Sequence, residues 1–408
     1  MKNHQKLGRE LDLYHSDPLV GAGLPLWLPA GAAMRHAIES YLHEAERLAG
    51  YQHVYSPPIA KRQMFVQSGH LANFADDMFP PMVEDDEDEA MMLRPSLCPH
   101  HVMVYRSRGR SYRELPLRIA ELGGMYRSER SGVLSGLSRV RSIWLNDAHI
   151  FCPPSLVGEE VSHILAMVGE AHCLLGFHAH GFQLSLRGDL DKGKYLGEPA
   201  EWDRAEALLR EALVGAGVPF VEEPGEAAFY GPKIDIQVRD VLDREFSIAT
   251  IQVDFALPER FQLSYADSDG RKHRPVMVHR SLVGGLERLL AHLIEVHQGA
   301  FPVWYAPVQL VVLPVGGQQQ ASAFRLADAA RRAGLRAEVA ADGSLGLRLR
   351  EIISRRVPYA AVIGPKEDSS SEVSLRLRDG SQLPAMPAAD ALALIGEVSA
   401  QRLPSLLP

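Results

Sequence analysis

Cysteine is scarce in this chain: only Cys98, Cys152 and Cys173 occur among its 408 residues. A sparse, odd number of cysteines argues against a disulfide-stabilised extracellular protein and fits a reducing compartment. The sequence also lacks an apolar run long enough to span a bilayer, and its polar start lacks the apolar core of a secretory signal. We therefore expect a cytoplasmic protein that does not enter a membrane.

An excess of basic charge is absent as well. The chain carries 43 Lys+Arg and 51 Asp+Glu, a formal net charge of −8. Proteins that coat nucleic acid without regard to sequence need a broadly basic surface, so DNA is not an expected partner. A folded RNA that is bound through local basic patches stays open. The acidic run EDDEDE at 84–89 is interpreted as a solvated loop.

Hydrophobic periodicity divides the chain into two parts. In the first, helical spacing over 29–50 and 155–176, together with alternating stretches such as FYGPKIDIQVRD, predicts an α+β domain whose antiparallel sheet is flanked by helices. The stretch SLVGGLERLLAHLIEVHQG predicts a helix that ends at Gly299. After FPVWYAP, short apolar runs alternate with helical patterns, which predicts a small α/β domain with a mainly parallel sheet. We place the two domains at residues 1–303 and 304–408.

A metal site is suggested by the stretch RPSLCPHH, which places Cys98 close to two histidines. Candidate partners are His149 and His279, both on apolar, strand-like stretches where a histidine is often an ordinary core residue. Three Cys/His ligands with an open fourth position are the pattern of a catalytic zinc site. His100 and His101 are closer in sequence, but adjacent residues on a strand point in opposite directions. Spacing alone therefore leaves the ligand set open.

Two arginines stand next to acidic residues, Arg127 near Glu129 in YRSERSG and Arg288 after Glu287 in GGLERLL. A guanidinium group can bind a phosphate through two parallel hydrogen bonds. The simpler interpretation is a pair of surface ion pairs, and the sequence by itself does not decide between them.

Long ordered blocks of the sequence resemble threonyl-tRNA synthetase, a class II aminoacyl-tRNA ligase. The resemblance runs from about residue 5 to about residue 400. The blocks include LGRELDLYH, SGHLANFADDMF, LPLRIAELGGMYRSERSGVLSGLSRVR, NDAHIFC, TIQVDFALPERF and PVMVHRSLVGGLERLL. The resemblance implies the antiparallel sheet of the class II synthetases, followed by an anticodon-binding domain.

The resemblance also implies roles for individual residues. Cys98, His149 and His279 match zinc ligands, and that zinc would bind the amino group and hydroxyl of threonine. Arg127 matches a contact to the α-phosphate of ATP, Glu129 the reader of the adenine amino group, and Arg288 a contact to the γ-phosphate. The remaining matches are Arg139, Lys233, Thr250 and Gln252 near the nucleotide or adenylate, with Tyr230, Asp147 and Gln252 in the amino-acid pocket. Arg127, Arg288 and Lys233 would assist the reaction itself, with Mg²⁺ bound to ATP.

Several positions differ from the family pattern. The usual MNCPGH reads SLCPHH, so Ser96, Leu97 and His100 replace Met, Asn and Gly. The usual GFTQDDAH reads SIWLNDAH, with Ile143 in place of an aromatic residue and Leu145 in place of Gln. Ala249 replaces a glycine. In the C-terminal domain, Arg348, Arg350, Arg355 and Arg356 are the candidate phosphate contacts, or else a solvated basic helix face.

Three functions are consistent with these observations. The first is ATP-dependent formation of threonyl adenylate and transfer to tRNA(Thr), without built-in editing, because the sequence starts where a catalytic domain would start. The second is an adenylating paralogue that loads a non-tRNA acceptor such as a carrier protein. The third is a non-catalytic tRNA-binding regulator, against which the retained metal and phosphate residues argue. The resemblance further implies a homodimer, with the helix near 29–50 in the interface.

Overall fold

The structure is a computed structural model that describes residues 1–83, 89–188 and 195–408. All but the last residue of the acidic run at 84–89 lies outside these ranges. The α-helices of the described residues are α1 (His4–Glu10), α2 (Pro29–Leu48), α3 (Arg62–Ser68), α4 (His70–Phe74), α5 (Cys98–Arg106), α6 (Val157–Leu175), α7 (Pro199–Gly215), α8 (Ala256–Arg260), α9 (Leu286–His297), α10 (Gln320–Arg332), α11 (Leu345–Ser354), α12 (Pro365–Ser370) and α13 (Ala388–Ala400). None of the helices in these ranges is both long and apolar enough to cross a membrane.

Strands are distributed over both parts of the chain. They are β1 (Tyr14–His15), β2 (Leu26–Trp27), β3 (Gln52–His53), β4 (Ile59–Lys61), β5 (Met91–Leu93), β6 (Leu117–Tyr126), β7 (Ser142–Cys152), β8 (Gly181–Leu186), β9 (Phe220–Pro224), β10 (Lys233–Arg239), β11 (Glu245–Asp254), β12 (Tyr265–Ala266), β13 (Lys272–His273), β14 (Val276–Ser281), β15 (Leu310–Pro314), β16 (Ala337–Val339), β17 (Tyr359–Ile363), β18 (Glu372–Leu377) and β19 (Met386–Pro387).

An eight-stranded sheet forms the centre of the first part, in the order β3-β6-β7-β14-β11-β10-β8-β9. Its six inner strands pair antiparallel, which confirms the predicted α+β domain. The two edge strands pair parallel, β3 with β6 and β9 with β8, which the sequence did not predict. The sheet packs with α2, α6, α7 and α9 around one apolar core. The long β6–β7 hairpin carries the predicted Ser-, Gly- and Arg-rich loop between its strands.

Glycine and proline set the ends of the principal helices. Pro29 begins α2, where its missing N–H is not needed. Gly176 ends α6 with a left-handed φ of 83°, a conformation that glycine adopts without steric cost. The predicted helix through SLVGGLERLL begins only at Leu286, because Gly284 has a φ of 68° and Gly285 is extended. The stretch before Leu286 instead forms the end of β14 and a tight turn.

A buried ion pair ties α2 to the central sheet. Nη2 of Arg280, on β14, lies 2.8 Å from Oε1 of Glu46, and both side chains are almost fully buried. The same carboxylate accepts a hydrogen bond from Asn146 Nδ2 on β7, at 2.8 Å, and contacts His53 Nε2 on β3, also at 2.8 Å. The guanidinium of Arg280 stacks over the Tyr51 ring. A long helix is thus positioned over three strands by one carboxylate.

The C-terminal part forms a five-stranded sheet in the order β16-β15-β17-β18-β19. β15 pairs parallel with β16 and β17, whereas β18 pairs antiparallel with β17 and β19. The α/β prediction is confirmed, but the sheet is mixed rather than mainly parallel. Alternate residues of β15 face opposite cores: Leu310 and Val312 pack on one side, and Val311 and Leu313 on the other.

The predicted phosphate contacts of this domain are only partly available for RNA. Arg348 is buried and donates to the carbonyl oxygens of Pro314 and Ala340, at 2.7 and 2.8 Å, so its role is structural and the prediction was wrong for it. Arg355 pairs with Glu338 at 2.9 Å. Arg350 is exposed, and Arg356 is half-buried. A buried guanidinium such as that of Arg348 cannot reach a phosphate at the surface.

Arginines also fasten the junction between the two parts. Arg336 donates to the carbonyls of Ala306 and Trp304, each at 2.8 Å, and Arg378 donates to the carbonyl of Phe301 at 2.7 Å. On the other side, Tyr305 Oη donates to the Leu175 carbonyl at 2.8 Å. The connecting segment is therefore bonded to both domains.

Replacing Glu46 by alanine is expected to destabilise the protein by about 3–5 kcal/mol, because it leaves the buried Arg280 charge without its partner. Glu44→Ala on the same helix removes only a surface partner of Arg402 and should cost about 0–1 kcal/mol. Denaturant unfolding, followed by the intrinsic fluorescence of the chain, measures both. Equal, small changes in the two variants would show that the buried pair does not hold α2 in place.

Candidate active site

One row of the central sheet brings the predicted residues together. His149 on β7 is the register partner of His279 on β14, His279 is the partner of Gln252 on β11, and Gln252 is the partner of Lys233 on β10. Directly opposed residues in antiparallel strands project from the same face of the sheet. Four side chains separated by up to 130 residues in sequence therefore project in one line from one face.

A cavity of about 300 Å³ lies above this row. Its lining contains every predicted site residue except His149 and Lys233. The predicted residues in the lining are Cys98, Arg127, Glu129, Arg139, Asp147, Tyr230, Thr250, Gln252, His279 and Arg288. Residues of the hairpin loop after β6, of the first turn of α9 and of the start of α5 also line it. The geometry thus assembles in one place residues that the sequence could connect only by resemblance.

Cys98, His149 and His279 form the metal-ligand cluster at one end of the cavity. Their potential ligand atoms all lie within 4.8 Å of one another, and all three residues are buried. Cys98 Sγ is 3.3 Å from His279 Nδ1, and His149 Nε2 is 3.0 Å from the same nitrogen. Burial raises the pKa of the Cys98 thiol and lowers the pKa of His149, so without a cation both groups would be neutral.

The opposite ring nitrogens of both histidines have polar partners. His279 Nε2 lies 2.9 Å from Asp254 Oδ2, and His149 Nδ1 lies 2.7 Å from His101 Nδ1. His101 Nε2 in turn lies 3.1 Å from Glu121 Oε2. Because the carboxylates of Asp254 and Glu121 accept hydrogen bonds, His279 Nε2 and His101 Nε2 carry protons. His101 Nδ1 is then an acceptor, so the proton of His149 is on Nδ1. This arrangement leaves lone pairs on His149 Nε2 and His279 Nδ1, which face each other.

The residues present fit a bound divalent metal. Two imidazole nitrogens that face each other across 3.0 Å suit a shared cation, and the Cys98 sulfur faces the same point. A Cys-His-His set with an open fourth side is a catalytic type of donor set. The carboxylates behind the histidines are the outer partners that orient metal-binding imidazoles.

His101 and Asp254 are site residues that sequence reasoning missed. His101 was set aside because residues 98–101 were treated as extended, but they begin helix α5, where three residues make almost one turn. The helix brings Cys98 and His101 onto neighbouring faces of the cluster. The spacing C-x-x-H, interpreted as helical, could have identified His101; no local pattern singled out Asp254.

The other end of the cavity is positively charged. Arg127 and Arg288 form no ion pair with any described carboxylate, and Arg288 Nε donates to the Ser138 carbonyl at 3.0 Å. Burial and then the nearby charges of Arg127 and Arg139 lower the pKa of Arg288. Arg139 contacts Glu129, with Nη2 2.9 Å from Oε2. Guanidinium groups held together without counter-charges favour an anionic ligand with several oxygens.

The simpler interpretation of these arginines as surface ion pairs was therefore wrong for Arg288. Its neighbour Glu287 turns the other way, accepts a hydrogen bond from the Trp144 amide at 3.0 Å and lies 3.6 Å from Arg35. Burial raises the pKa of Glu287 to about 7. Consecutive helical residues point about 100° apart, which separates Arg288 from Glu287.

Polar groups line the space between the metal-ligand cluster and the arginines. Tyr230 Oη donates to Gln252 Oε1 at 2.7 Å, and the Tyr230 ring stacks on His279 with ring centres 5.1 Å apart. Asp147 Oδ2 lies 3.9 Å from His149 Nε2. Burial raises the pKa of Asp147 to about 8, although the Arg280 charge opposes the rise. A nearby cation, such as a substrate ammonium group, would favour the ionised carboxylate.

Lys233 lies in the row of site residues, but its side chain contacts other polar residues rather than the cavity. Its Nζ contacts Asp235 Oδ2 and lies 3.4 Å from Ser185 Oγ. The side chain is thus held at the edge of the site by a buried carboxylate. The structure does not bring Lys233 into the cavity lining with the two arginines, so its role in the reaction stays a prediction.

The residues that differ from the family pattern fall into two groups. Ile143, Leu145, Ala249 and Ser96 line the cavity, and Ser96 Oγ lies 2.8 Å from His70 Nε2. A Cβ on Gly285 would lie 2.7 Å from Ile143 Cγ2, so these two residues pack tightly in the wall. Leu97 and His100 are buried outside the cavity lining, and His100 lies near the Phe65 ring. Apolar side chains thus replace polar or aromatic ones on one wall.

Comparison with known proteins identifies the family. A model of the class II tRNA synthetase core domain (G, H, P, S and T) matches residues 82–297, and an anticodon-binding domain model matches residues 309–397. The chain therefore belongs to the class II tRNA synthetases, as this site and fold indicate. Within that class it is a member of the threonyl-tRNA synthetase family, because it is 32% identical to a solved chain of that family and covers 98% of it; this confirms the resemblance seen in the sequence.

Named relatives place it there. Threonine–tRNA ligase of Staphylococcus carnosus is 46% identical over 377 residues, which cover 92% of this chain and 58% of that protein. The ligase of Anoxybacillus flavithermus is 44% identical, covering 95% and 60%. A structure described as the RNA-binding domain of Cryptosporidium parvum threonyl-tRNA synthetase superposes with a TM-score of 0.90, 32% identity and 98% coverage of both chains. A structure described as the putative threonyl-tRNA synthetase ThrRS-1 of Aeropyrum pernix has a TM-score of 0.82 and 29% identity, covering 98% and 95%. The chain spans about 58–60% of the length of these curated relatives.

Asp254→Asn is expected to weaken retention of a bound divalent metal by roughly 10–100-fold, because the amide no longer fixes the proton on His279 Nε2. Asp328→Asn, the same change at an exposed position of α10 that is paired only with Arg331, should have no effect. Competition with a chelator of known affinity measures both variants. Unchanged retention in Asp254→Asn would mean that Asp254 does not orient a metal ligand.

Proposed function

We propose that this chain activates L-threonine with ATP as the aminoacyl adenylate and transfers it to the 3′ end of tRNA(Thr). The observation that carries the proposal is that one cavity is lined both by Cys98 and His279 of the metal-ligand cluster and by Arg127 and Arg288, which form no ion pair with a described carboxylate. An amino acid with a side-chain hydroxyl suits the cluster, and a triphosphate suits the arginines. The relatives named as threonine–tRNA ligases support the same assignment.

Zn²⁺ is the metal that we propose for the cluster. One thiolate and two imidazoles form a set that zinc accepts with one side open for a ligand. Bound there, zinc would supply a Lewis-acid contact for the amino group and hydroxyl of threonine. The chain itself contributes the orientation, through Asp254 and the Glu121–His101 pair behind the two histidines.

The polar pocket beside the cluster would orient the substrate. Asp147 lies where it can accept from the ammonium group, and Gln252 is held by the Tyr230 hydroxyl. A valine has no hydroxyl and would leave these polar groups unpaired, which excludes it strongly. Serine carries both polar groups and lacks only one methyl, so the pocket rejects it only weakly, by about 1–3 kcal/mol.

The arginine end would hold the nucleotide. In the activation step the carboxylate of threonine attacks the α-phosphate, the bond to the β-phosphate oxygen breaks, and pyrophosphate leaves. Negative charge grows on the phosphoryl oxygens, and preorganised cations stabilise it. Arg127 and Arg288 are the guanidinium groups free for this, together with Mg²⁺ carried by the nucleotide. Glu129 and Arg139 stand beside them, where the purine would lie, and Thr250 lines the floor between the two ends.

A homodimer that works in the cytoplasm, where tRNA is charged, is part of the proposal. Apolar side chains are exposed in the segment that leads into α2: Leu19 is 98% exposed and Leu26 is 42% exposed. Trp144 is 39% exposed and lies against Arg35 of α2, with the guanidinium 4.9 Å from its ring. The outer face of α2 itself is mainly polar. Light scattering of the purified chain should give twice the mass of one chain, which is 45.0 kDa. A measured mass equal to that of one chain would refute the dimer.

Amino-acid-dependent exchange between ATP and pyrophosphate tests the activity directly. Threonine should support exchange, serine should do so with a kcat/KM roughly 10–200-fold lower, and valine should be weaker still. The Arg288→Ala variant should lose about 10²–10³-fold in rate, since one charged contact to the transition state is removed. Arg274→Ala, which removes an exposed arginine paired with Glu259, is the matched control.

Charging of purified tRNA(Thr) by the same preparation separates the remaining alternatives. Threonine-dependent exchange followed by charging supports the proposal. Exchange without charging would mean that the acceptor of the activated amino acid is another molecule, such as a carrier protein. Absence of exchange with any amino acid would make the chain a non-catalytic member of the family.

A further inference from the structure

Three potential metal ligands meet where the C-terminal end of α2 lies beside the edge strand β3. The nearest ligand atoms of His43, Glu46 and His53 all lie within 4.8 Å of one another. The group is separate from the cavity and from the Cys98 cluster, and no step proposed above uses it. We propose that these three residues form a second divalent metal site, of the two-histidine, one-carboxylate type that Zn²⁺ occupies.

The chain delivers these ligands by simple local geometry. His43 and Glu46 are three residues apart on α2, so they project from neighbouring positions on one face of the helix. The helix ends, Gly50 turns the chain with a φ of 80°, and β3 brings His53 back alongside. His53 Nε2 lies 2.8 Å from Glu46 Oε2, and the two imidazole rings have centres 4.6 Å apart.

The carboxylate of Glu46 is prepared as a ligand before any metal binds. Its Oε1 is held by Asn146 Nδ2 and lies next to Arg280 Nη2, each at 2.8 Å, so Oε2 is turned toward the histidines. Burial opposes the ionisation of Glu46, but the Arg280 charge and the hydrogen bonds outweigh it and lower its pKa. Carboxylates that bind metals are themselves fixed by hydrogen bonds of this kind.

A histidine–glutamate ion pair would account for only two of the three residues. The His43 side chain has no hydrogen-bond partner among the described residues, although its ring packs against that of His53. Zinc ligands at about 2.0–2.1 Å from the metal stand about 3.3–3.4 Å apart, so closing the cluster needs only small side-chain movements. His43 and His53 are both partly exposed, which leaves room for water to complete the coordination.

The two sites differ in chemistry, and this difference makes the proposal testable. The first site contains the Cys98 thiolate, whereas the second contains only nitrogen and oxygen ligands. Bound cobalt(II) therefore gives a thiolate-to-metal charge-transfer band at the first site and only weak d–d bands at the second. A titration of the metal-free full chain with cobalt(II), followed by absorption and by metal content after dialysis, resolves the two.

We expect one equivalent with the charge-transfer band and a second without it. His43→Ala should abolish the second equivalent and leave the charge-transfer band unchanged, and His53→Ala should do the same. His36→Ala, an exposed histidine on the same helix, should retain both equivalents. The proposal is overturned if the band-free equivalent is absent from the unmodified chain or survives in both His43→Ala and His53→Ala. Failure of the first site alone would remove the charge-transfer band and leave this result intact.

Discussion

The backbone register between β7, β14, β11 and β10 is the constraint on which the site depends. It aligns His149, His279, Gln252 and Lys233 on one face of the sheet. A slip of one residue in any of these pairs would turn a side chain to the opposite face, into the apolar core. The register is itself held by apolar neighbours such as Ile150 and Val278, which alternate with the site residues and pack beneath them. The same strand register therefore determines both the packing on one face of the sheet and the positions of the site residues on the other.

Electrostatic strain is divided between the two ends of the cavity. At one end, the ring nitrogens of His149 and His279 that face the metal position lie 3.0 Å apart; at the other, burial and the charge of Arg127 lower the pKa of Arg288, and neither arginine forms an ion pair with a described carboxylate. Both arrangements are unfavourable in an empty protein, and both are relieved by ligands of opposite character. Proteins commonly keep such local conflict where they bind and react. The buried Arg280–Glu46 pair shows the contrasting case, in which a charge of the same kind is neutralised inside the fold and takes a structural role.

The sequence alone predicted the elements with strong periodicity and the site residues inside the long blocks that resemble the family. The helices α2 and α6 lie within a few residues of the expected bounds, and the inner strands are antiparallel as expected. Local patterns failed where tertiary contacts decide the outcome. Nothing near Arg348 reveals that two backbone carbonyls enclose it, and nothing near Glu287 reveals that it accepts from Trp144. His101 was misjudged because the first turn of α5, which contains Pro99, was treated as a strand.

The bonded junction between the two domains has a consequence for reach. Because Arg336, Arg378 and Tyr305 hold the connecting backbone from both sides, the separation of the cavity from the C-terminal sheet is set by hydrogen bonds rather than by a flexible tether. A macromolecule that contacted both the cavity and the C-terminal sheet would therefore have to match this fixed distance. Its size and shape would contribute to selection in addition to any contact with a single group.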